Sequence, residues 1–385
     1  MQDLAALTVV SVEHAVAAPY ASAKLADAGA RVIKVERPEG DFARGYDSLA
    51  AGNSAYFVWL NRGKEAIALD LKKAEDRRIL AAMIDKADIL IQNLGPGVME
   101  RLGFGIEALC ERQPGLIACS ISGYGSAGPR ASQKAYDLLI QAESGLSAIN
   151  GTEEGPARVG ISVCDIAAGM TAYQAILEAV IGRLATGRGR HVEVSLYHAM
   201  ADWMNVPYLQ HRYGGKAPTR QGLRHPTIAP YGAFDCADGK TLLVAVQNDR
   251  EWAKLCAVLG APDMADDPAF ATNAGRVKNR ERTDGFVGAR LAGLGREDAI
   301  ALLSQAGIAI GRLSDMEDLV RHPQNRFVEV ATPTGPLQLL APGAAVAGEV
   351  RPALGKVPEI DEHGTALRRE FGGAGTASPQ DASVR

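Results

Sequence analysis

Short apolar segments alternate with helix-like segments through the first part of the chain. The apolar segments are short and lie at residues 7–12, 31–36, 66–70, 89–92 and 116–121. Segments with a helical pattern lie between them, for example at residues 20–28 and 73–86. Strands that alternate with helices are typical of a parallel sheet covered by helices. The pattern therefore predicts an α/β fold for this part of the chain.

The pattern changes near Arg220. Residues 219–230 are polar and rich in turn formers, and the segments on either side of Asp238-Gly239 predict a β-hairpin. Helices are predicted at about 248–259, 282–291 and 296–306, and the chain becomes β-like from residue 327. We therefore predict a large domain at 1–215, a smaller α/β domain at 216–325, a segment at 326–371 that returns to the large domain, and a disordered tail at 372–385.

A long apolar helix is predicted after Asp165. A short strand at residues 159–164 leads into it, Gly187 ends it, and a strand at residues 191–195 follows. Its apolar stripe is predicted to contain Ile166, Met170, Tyr173, Ile176 or Leu177, Val180 and Leu184. The helix carries Gln174 and Glu178, so we expect it in a protein core and not in a membrane.

Asp165 has two interpretations at the start of this helix. As an N-cap, its carboxylate would accept hydrogen bonds from backbone N–H groups. As a nucleophile, it is ionised at neutral pH with a reference pKa of about 3.9. Attack on an acyl group would then give a mixed anhydride. Position alone leaves both interpretations open.

Composition limits the classes of partner. The 385 residues are 47% hydrophobic and 22% charged, and the net charge of -4 gives no chain-wide basic field for nucleic acid. Residues 1–16 contain no cationic signal-peptide segment. Five scattered cysteines without C-x-x-C spacing argue against a disulfide framework or a zinc site. We therefore expect a cytoplasmic protein without a metal, a membrane or a nucleic-acid partner.

One glycine motif suggests a dinucleotide site. Residues 123–128 fit the pattern G-x-G-x-x-G after a predicted strand. Pro129 follows at once, no helix is evident there, and the strand is about the fourth in the chain and not the first. A nicotinamide site is therefore disfavoured.

The segment around Asp165 resembles the catalytic aspartate segment of the class III CoA-transferases, the superfamily of formyl-CoA and carnitine CoA-transferases. Further similar blocks occur in order across residues 5–370, at residues 17–19, 32–41, 61–64, 93–97, 101–104, 122–125 and 136–137. The resemblance implies Asp165 as the nucleophile. It also implies an interlocked homodimer, a large Rossmann-like domain built from both chain ends, and no cofactor beyond coenzyme A as part of the substrate.

The resemblance also implies a CoA site. The residues at the matching positions are Arg37, Asn93, Gly95, Arg101, Lys134 and Tyr136. Cations pair with CoA phosphates, and a glycine turn lets the backbone approach a ligand closely. Without the resemblance, the three basic residues would be interpreted as solvated surface charges. Turn chemistry alone leaves residues 93–97 open between a ligand-binding turn and a plain strand-to-helix connection.

Two departures from the family bear on the substrate. Val16 stands where the oxalate-acting members carry a glutamine, and residues 221–227 replace their glycine-rich loop. Formate and oxalate are therefore disfavoured. Arg220, Arg224 and His225 are candidates to bind a distal carboxylate, or they face solvent.

The racemase branch of the superfamily and a non-enzymatic role are rival interpretations. The chemistry of the racemases resembles a two-base mechanism that uses a His–Asp pair. The Asp of that pair corresponds to Asp137, and the position of the His directly before it is occupied here by Tyr136. A tyrosine with a pKa of about 10 is a poor base at neutral pH. A CoA-binding regulatory subunit would require Asp165 to act only as a cap.

We therefore predict a CoA-transferase that moves CoA from an acyl-CoA to a free carboxylic acid through an aspartyl anhydride and an aspartyl-CoA thioester. The donor is expected to be succinyl-CoA or a similar short dicarboxyl-CoA. The pattern resembles the succinyl-CoA-dependent glutarate, itaconate or citramalate enzymes and the mesaconyl-CoA type. Migration of CoA within one dicarboxylic acyl-CoA, as in the mesaconyl-CoA type, remains the alternative.

Overall fold

A computed structural model describes residues 3–349 and 353–372. The strands in chain order are β1 (Thr8–Val12), β2 (Arg31–Glu36), β3 (Lys64–Ala68), β4 (Ile89–Gln92), β5 (Ile117–Ser122), β6 (Gly151–Thr152), β7 (Gly155–Pro156), β8 (His191–Ser195), β9 (Tyr231–Asp235), β10 (Thr241–Ala245), β11 (Ala309–Arg312), β12 (Phe327–Thr332) and β13 (Gly335–Leu340). The helices are α1 (Ala17–Asp27), α2 (Ala55–Asn61), α3 (Ala74–Lys86), α4 (Val98–Arg101), α5 (Ile106–Arg112), α6 (Asp137–Glu143), α7 (Leu146–Ile149), α8 (Val163–Thr186), α9 (Leu196–Trp203), α10 (Asn205–Gly214), α11 (Asp249–Val258), α12 (Asn273–Lys278), α13 (Arg280–Leu291), α14 (Arg296–Gln305), α15 (Met316–Val320) and α16 (Gly364–Phe371). Short 3₁₀ turns lie at Phe42–Gly45 and Pro262–Ala265.

The described residues form two compact units. Unit 1 contains residues 3–146, 158–208, 326–349 and 353–372, and unit 2 contains residues 147–157 and 209–325. Unit 2 thus begins a few residues before the predicted boundary at 216. It also takes in residues 147–157, which the sequence assigns to the large domain. The predicted tail at 372–385 lies outside the described residues apart from residue 372.

Unit 1 is built on a six-stranded sheet with the order β3-β2-β1-β4-β5-β8, and every neighbouring pair is parallel. In the central register, Val9 of β1 lies opposite Val32 of β2 and Ile89 of β4. One apolar cluster packs α1 and α8 on one face, and a second packs α3 and α16 on the other. Strands buried on both faces need nearly continuous apolar residues. The predicted parallel α/β fold is confirmed.

The strand order reverses between β1 and β4, since β2 and β3 continue to one side and β4 and β5 to the other. In open parallel sheets, ligands bind beyond the carboxyl ends of the strands at such a reversal. The segments that follow β1, β4 and β5 are therefore the expected positions of functional side chains.

The start of α8 differs from the prediction. The helix begins at Val163, so Asp165 is its third residue, and residues 157–162 form no strand. Asp137 of α6 supplies the cap, because its Oδ1 accepts hydrogen bonds from the backbone N–H groups of Cys164 at 2.7 Å and Asp165 at 3.4 Å. The predicted strand at 159–164 and the N-cap interpretation of Asp165 are wrong. The predicted end at Gly187 is confirmed by its left-handed conformation, with φ of 68°.

The buried face of α8 consists mainly of small residues: Cys164, Ala167, Ala168, Gly169, Ala172, Ile176, Ala179 and Val180. At Gly169, an added Cβ would lie 2.6 Å from the carbonyl oxygen of Ala17. The backbones of α1 and α8 therefore lie too close together at this position for a larger side chain. The predicted stripe is correct at Ile176 and Val180. It is wrong at Met170 and Leu184, which are 48% and 82% exposed, because the close approach selects small side chains.

Among the described helices, α8 is also the one whose length and apolar composition would suffice to cross a membrane, a test that the core helices of soluble proteins pass as well.

The segment after residue 353 covers the edge strand β3. Asp361 Oδ1 accepts the backbone N–H of Ala68 at 2.8 Å, and His363 Nδ1 accepts that of Ala66 at 3.1 Å. Side-chain acceptors thus satisfy donors that an open sheet edge would expose. α16 then packs against the α3 side of the sheet.

Unit 2 contains the antiparallel sheet β11-β10-β9. The hairpin of β9 and β10 turns at Gly239, with φ of 72°, as predicted. Its core includes the fully buried Trp252 together with residues of α11, α13 and α14.

Candidate active site

A cavity of about 760 Å³ lies in unit 1 beyond the carboxyl ends of β1, β4 and β5. Its wall contains residues 14–17, 93–96, 121–123 and 131–138, together with Phe42, Tyr46, Tyr56, Arg158, Ser162, Asp165 and Leu196. The location matches the strand-order reversal described above. Both polar and apolar groups form the wall, as in sites for organic ligands.

Asp165 contributes a carboxylate to this cavity. Neither of its oxygens accepts a hydrogen bond within the described part of the chain. Burial raises its pKa from 3.8 to about 7, and the nearby charge of Asp137 adds to the effect. A perturbed carboxyl group in a cleft indicates a functional site.

Asp137 and Gln141 hold the N-terminal end of α8. Gln141 Nε2 donates to Asp137 Oδ2 at 2.7 Å, and its Oε1 accepts the backbone N–H of Val159 at 2.8 Å. The chain before Asp165 and the first turn of its helix are therefore fixed by α6. Sequence reasoning missed this role, although the i, i+4 spacing of Asp137 and Gln141 places them on one helix face.

Four of the predicted CoA residues line the cavity: Asn93, Gly95, Lys134 and Tyr136. Arg37 and Arg101 do not. Arg37 is largely exposed, donates from Nε to the carbonyl oxygen of Gly40 at 2.8 Å, and places its guanidinium 5.9 Å from the ring centroid of Phe42, which lines the cavity. Arg101 is exposed near the carbonyl oxygen of Pro96, also in the wall. A role for both in CoA binding stays a prediction.

The side chain of Asn93 is engaged by the protein itself. Its Oδ1 accepts the backbone N–H of His14 at 3.0 Å, and its Nδ2 donates to the carbonyl oxygen of His14 at 2.9 Å. The segments after β4 and after β1 are thereby fastened together. Direct binding of CoA by Asn93 stays a prediction.

The predicted substrate residues divide between the units. Val16 is buried in the cavity wall before α1. Arg220, Arg224 and His225 belong to unit 2 and do not line this cavity. Arg220 Nε donates to the carbonyl oxygen of Thr152 at 2.8 Å, and His225 stacks on Tyr231 with ring centroids 5.2 Å apart. Their binding of a distal carboxylate stays a prediction.

A buried ion network lies beside the cavity, and sequence reasoning missed it. Glu13 Oε1 binds Lys64 Nζ at 2.7 Å, Lys34 Nζ binds Asp41 Oδ2 at 2.9 Å, and all four side chains are buried. Burial opposes ionisation of Glu13, but the ammonium groups of Lys64 and Lys34 outweigh it and lower its pKa to about 2. Asp41 Oδ1 accepts the backbone N–H of Ala15 at 3.1 Å.

No group of three or more His, Cys, Asp or Glu side chains that could hold a metal ion occurs among residues 3–349 and 353–372.

Comparisons with known proteins give matches over most of the chain, and these matches belong to one family. The family model described as CoA-transferase family III matches residues 4–364. The acetyl-CoA:oxalate CoA-transferase of Acetobacter aceti is 36% identical, with 95% of each chain covered. The succinyl-CoA:mesaconate CoA-transferase of Haloarcula hispanica is 33% identical, with 96% of this chain and 97% of the relative covered. The crystal structure of a CAIB/BAIF family protein from Brucella suis is 32% identical, with a TM-score of 0.83 over 96% of this chain and 99% of that chain.

Proposed function

The chain belongs to the CoA-transferase family III, and we propose that it moves CoA from a short dicarboxylic acyl-CoA to a free carboxylic acid with Asp165 as the nucleophile. The observation that carries the proposal is the Asp165 carboxylate. It lines the cavity, makes no hydrogen bond within the described chain, and is relieved of the capping role by Asp137.

Two successive attacks transfer the CoA. An Asp165 oxygen bonds to the thioester carbonyl carbon of the donor, and the C–S bond breaks to give an aspartyl anhydride and a CoA thiolate. The thiolate then attacks the aspartyl carbonyl and releases the donor acid, leaving an aspartyl-CoA thioester. The acceptor carboxylate repeats the two steps in reverse order. The exchange is redox-neutral and needs no cofactor besides CoA.

The environment of Asp165 favours acylation. Ionised Asp165 is destabilised by burial and by the charge of Asp137. Both the anhydride and the thioester are uncharged at this side chain, so acylation removes the unfavourable charge. Because a partly enclosed cavity also limits water, the covalent forms are protected from hydrolysis.

Cations around the cavity are suited to the phosphates of CoA. Lys134 lies in the wall, and Arg37 and Arg101 lie beside the wall residues Phe42 and Pro96. Neither Lys134 nor Arg101 forms an ion pair within the described residues, and Arg37 has only a 4.0 Å contact with Glu39. Their charges therefore remain available to an anionic ligand.

The names of the relatives support a dicarboxylate as the acid. Relatives at 33% and 36% identity are named for mesaconate and oxalate, and the mouse relative at 33% identity is named for glutarate. Val16 lacks the polar side chain of the oxalate-acting members, which favours succinyl-CoA with a larger acid. The oxalate relative nevertheless makes oxalate a necessary member of any substrate panel.

We also propose a homodimer, interlocked as the family resemblance implies. Large apolar side chains of unit 1 are exposed on α8, at Met170, Ile181 and Leu184, at the end of α9, at Trp203, and at the start of α10, at Val206. A single chain leaves these side chains in water, and a second copy would cover them.

The five cysteines are all unpaired, which favours a reducing cytoplasm.

An exchange experiment tests the function. The enzyme is incubated with succinyl-CoA and, separately, isotope-labelled glutarate, mesaconate, citramalate, itaconate, oxalate and acetate. We expect label to enter the thioester with at least one dicarboxylate and to depend on the added acid. Migration of CoA within one acyl-CoA regardless of added acid would establish the intramolecular type instead. α-Deuteration of a 2-methyl-branched acyl-CoA in deuterated water without label exchange would establish a racemase and refute transfer.

A trapping experiment tests the nucleophile. After reaction with succinyl-CoA, hydroxylamine or borohydride is added and the modified residue is located by mass spectrometry. We expect Asp165, with no adduct in Asp165→Ala. An adduct at another side chain would refute the assignment while leaving the transfer reaction established.

A further inference from the structure

His14 stands at the carboxyl end of β1, where the strand order reverses. Its side chain lines the same cavity as Asp165 and is partly buried. The transfer steps assigned to Asp165 do not use this side chain. Its backbone is the partner of Asn93, but that contact leaves the imidazole free.

The imidazole has no hydrogen-bond partner among residues 3–349 and 353–372. Its Nδ1 is buried and unpaired, and Nε2 also makes no hydrogen bond within the described residues. A buried polar atom left unpaired costs about 1–3 kcal/mol. Because Nδ1 has almost no accessible surface, Nε2 is the ring nitrogen that a ligand in the adjoining cavity can reach.

The ring is nonetheless held in place. Asn93 binds both the N–H and the C=O of His14, and the ring packs against Phe42 with centroids 4.9 Å apart. The next residue, Ala15, has φ of 63° and donates its N–H to Asp41. A non-glycine residue in this conformation is strained by about 1–3 kcal/mol, and such strain clusters at active sites.

Burial also favours the uncharged form of the ring. Burial lowers the pKa of His14 below 6.5, the positive charges of Lys34 and Arg37 act in the same direction, and Asp41 and Glu13 oppose them. A neutral imidazole carries one N–H donor. It can therefore donate a hydrogen bond to a carbonyl oxygen without forming a permanent ion pair with the Asp165 carboxylate.

We propose that His14 is a second catalytic residue, whose ring N–H donates a hydrogen bond to the acyl oxygen that becomes negatively charged when Asp165 attacks. This inference rests on the proposed function. As the bond from Asp165 to the carbonyl carbon forms, the π electrons move to the oxygen, and they return when the C–S bond breaks. His14 stabilises the oxyanion without transferring its proton. Val16 has no polar side chain for this task, and His14 lies two residues before it.

Two variants separate hydrogen bonding from packing. His14→Leu removes the donor at similar volume, and His14→Gln retains an N–H donor. With succinyl-CoA, we expect His14→Leu to lower kcat by about 10²–10³-fold, with little change in KM. His14→Gln should retain at least a tenth of the wild-type kcat. The matched control His198→Leu changes a histidine of unit 1 that does not line the cavity, and it should keep wild-type kcat.

A spectroscopic measurement tests the hydrogen bond itself. Succinyl-CoA with a ¹³C-labelled thioester carbonyl is bound to Asp165→Ala, and its carbonyl stretch is recorded by difference infrared spectroscopy. We expect a shift to lower frequency that disappears in Asp165→Ala/His14→Leu. If His14→Leu folds poorly, Asp165→Ala/His14→Gln is measured instead. We expect this variant to retain the shift, because glutamine keeps an N–H donor.

The outcomes distinguish the two proposals. A trapped adduct at a residue other than Asp165 would refute the proposed nucleophile. Equal losses of kcat in His14→Leu and His14→Gln at wild-type thermal stability would refute the hydrogen-bonding role of His14. An infrared shift that survives in both His14 variants would refute it as well.

Discussion

Asp165→Asn should make the protein more stable while abolishing its proposed activity. The carboxylate lies in a cavity wall, makes no hydrogen bond within the described chain, and faces the charge of Asp137. The amide is nearly the same size and carries no charge. The substitution therefore removes the unfavourable charge and leaves the capping of α8 by Asp137 in place.

The magnitude and the pH dependence follow from the pKa values. The folded-state pKa of about 7 lies above the ordinary value of 3.8, so the folded state holds the proton more tightly. Between these pH values the unfolded state loses the proton first, and the wild type loses stability as pH rises. Each pKa unit corresponds to about 1.36 kcal/mol, which gives a ceiling of about 4 kcal/mol. Asp165 is only partly buried, so solvent screening reduces this to about 2–3 kcal/mol above pH 7.

Urea unfolding at pH 4, 6 and 8.5 measures the effect at one protein concentration. Asp165→Asn should match the wild type at pH 4 and exceed it increasingly toward pH 8.5. Asp137→Ala is the matched control, and at pH 4, where Asp165 is protonated, it should lower stability by about 1–2 kcal/mol because it removes the cap. Equal stability of Asp165→Asn and the wild type at pH 8.5, or a gain that does not vary with pH, would refute the electrostatic reasoning.

Three further predictions concern catalysis, binding and packing. In the free enzyme, kcat/KM for acyl-CoA should rise with pH through about 7, since the ionised form of Asp165 attacks; a flat profile from pH 5.5 to 8.5 would contradict this. Lys134→Ala should raise KM for acyl-CoA far more than KM for the free acid, and equal increases would exclude a phosphate contact. Gly169→Ala should destabilise by about 1–3 kcal/mol, because the added Cβ would meet the carbonyl oxygen of Ala17 at 2.6 Å. Thermal melts measure both variants. Gly182→Ala on the same helix should leave the melting temperature nearly unchanged, since its Cβ would meet only the movable end of the Arg190 side chain.

The parallel sheet of unit 1 was predictable because its signal is local. Strands buried on both faces read as continuous apolar runs, and β1 and β4 show such runs in the sequence. The start of α8 was not predictable in the same way. Its cap comes from Asp137, 28 residues earlier than Asp165 in the chain, and no local pattern around residue 162 reveals a cap that another helix supplies.

Part of the site was likewise beyond reach of the sequence. Lys34 sits between Ile33 and Val35 in β2 and reads as an ordinary polar position, but the structure buries it completely. Glu13 and Lys64, its neighbours in the ion network, come from two other segments. Only tertiary structure brings these charges together. The cavity also collects Asn93, Lys134 and Asp165 at one sheet edge, which the resemblance implied and the strand order explains.

The ion network explains why the strained wall of the cavity does not relax. Relaxation of Ala15 to a negative φ would release about 1–3 kcal/mol of backbone strain. The N–H of Ala15, however, donates a hydrogen bond to Asp41, which also binds Lys34. Relaxation that displaced Asp41 would leave the Lys34 ammonium without its closest partner in a buried environment. Breaking a buried ion pair on one side costs about 3–5 kcal/mol, which exceeds the strain. The buried charges therefore fix Ala15, and with it the position of His14 in front of the cavity.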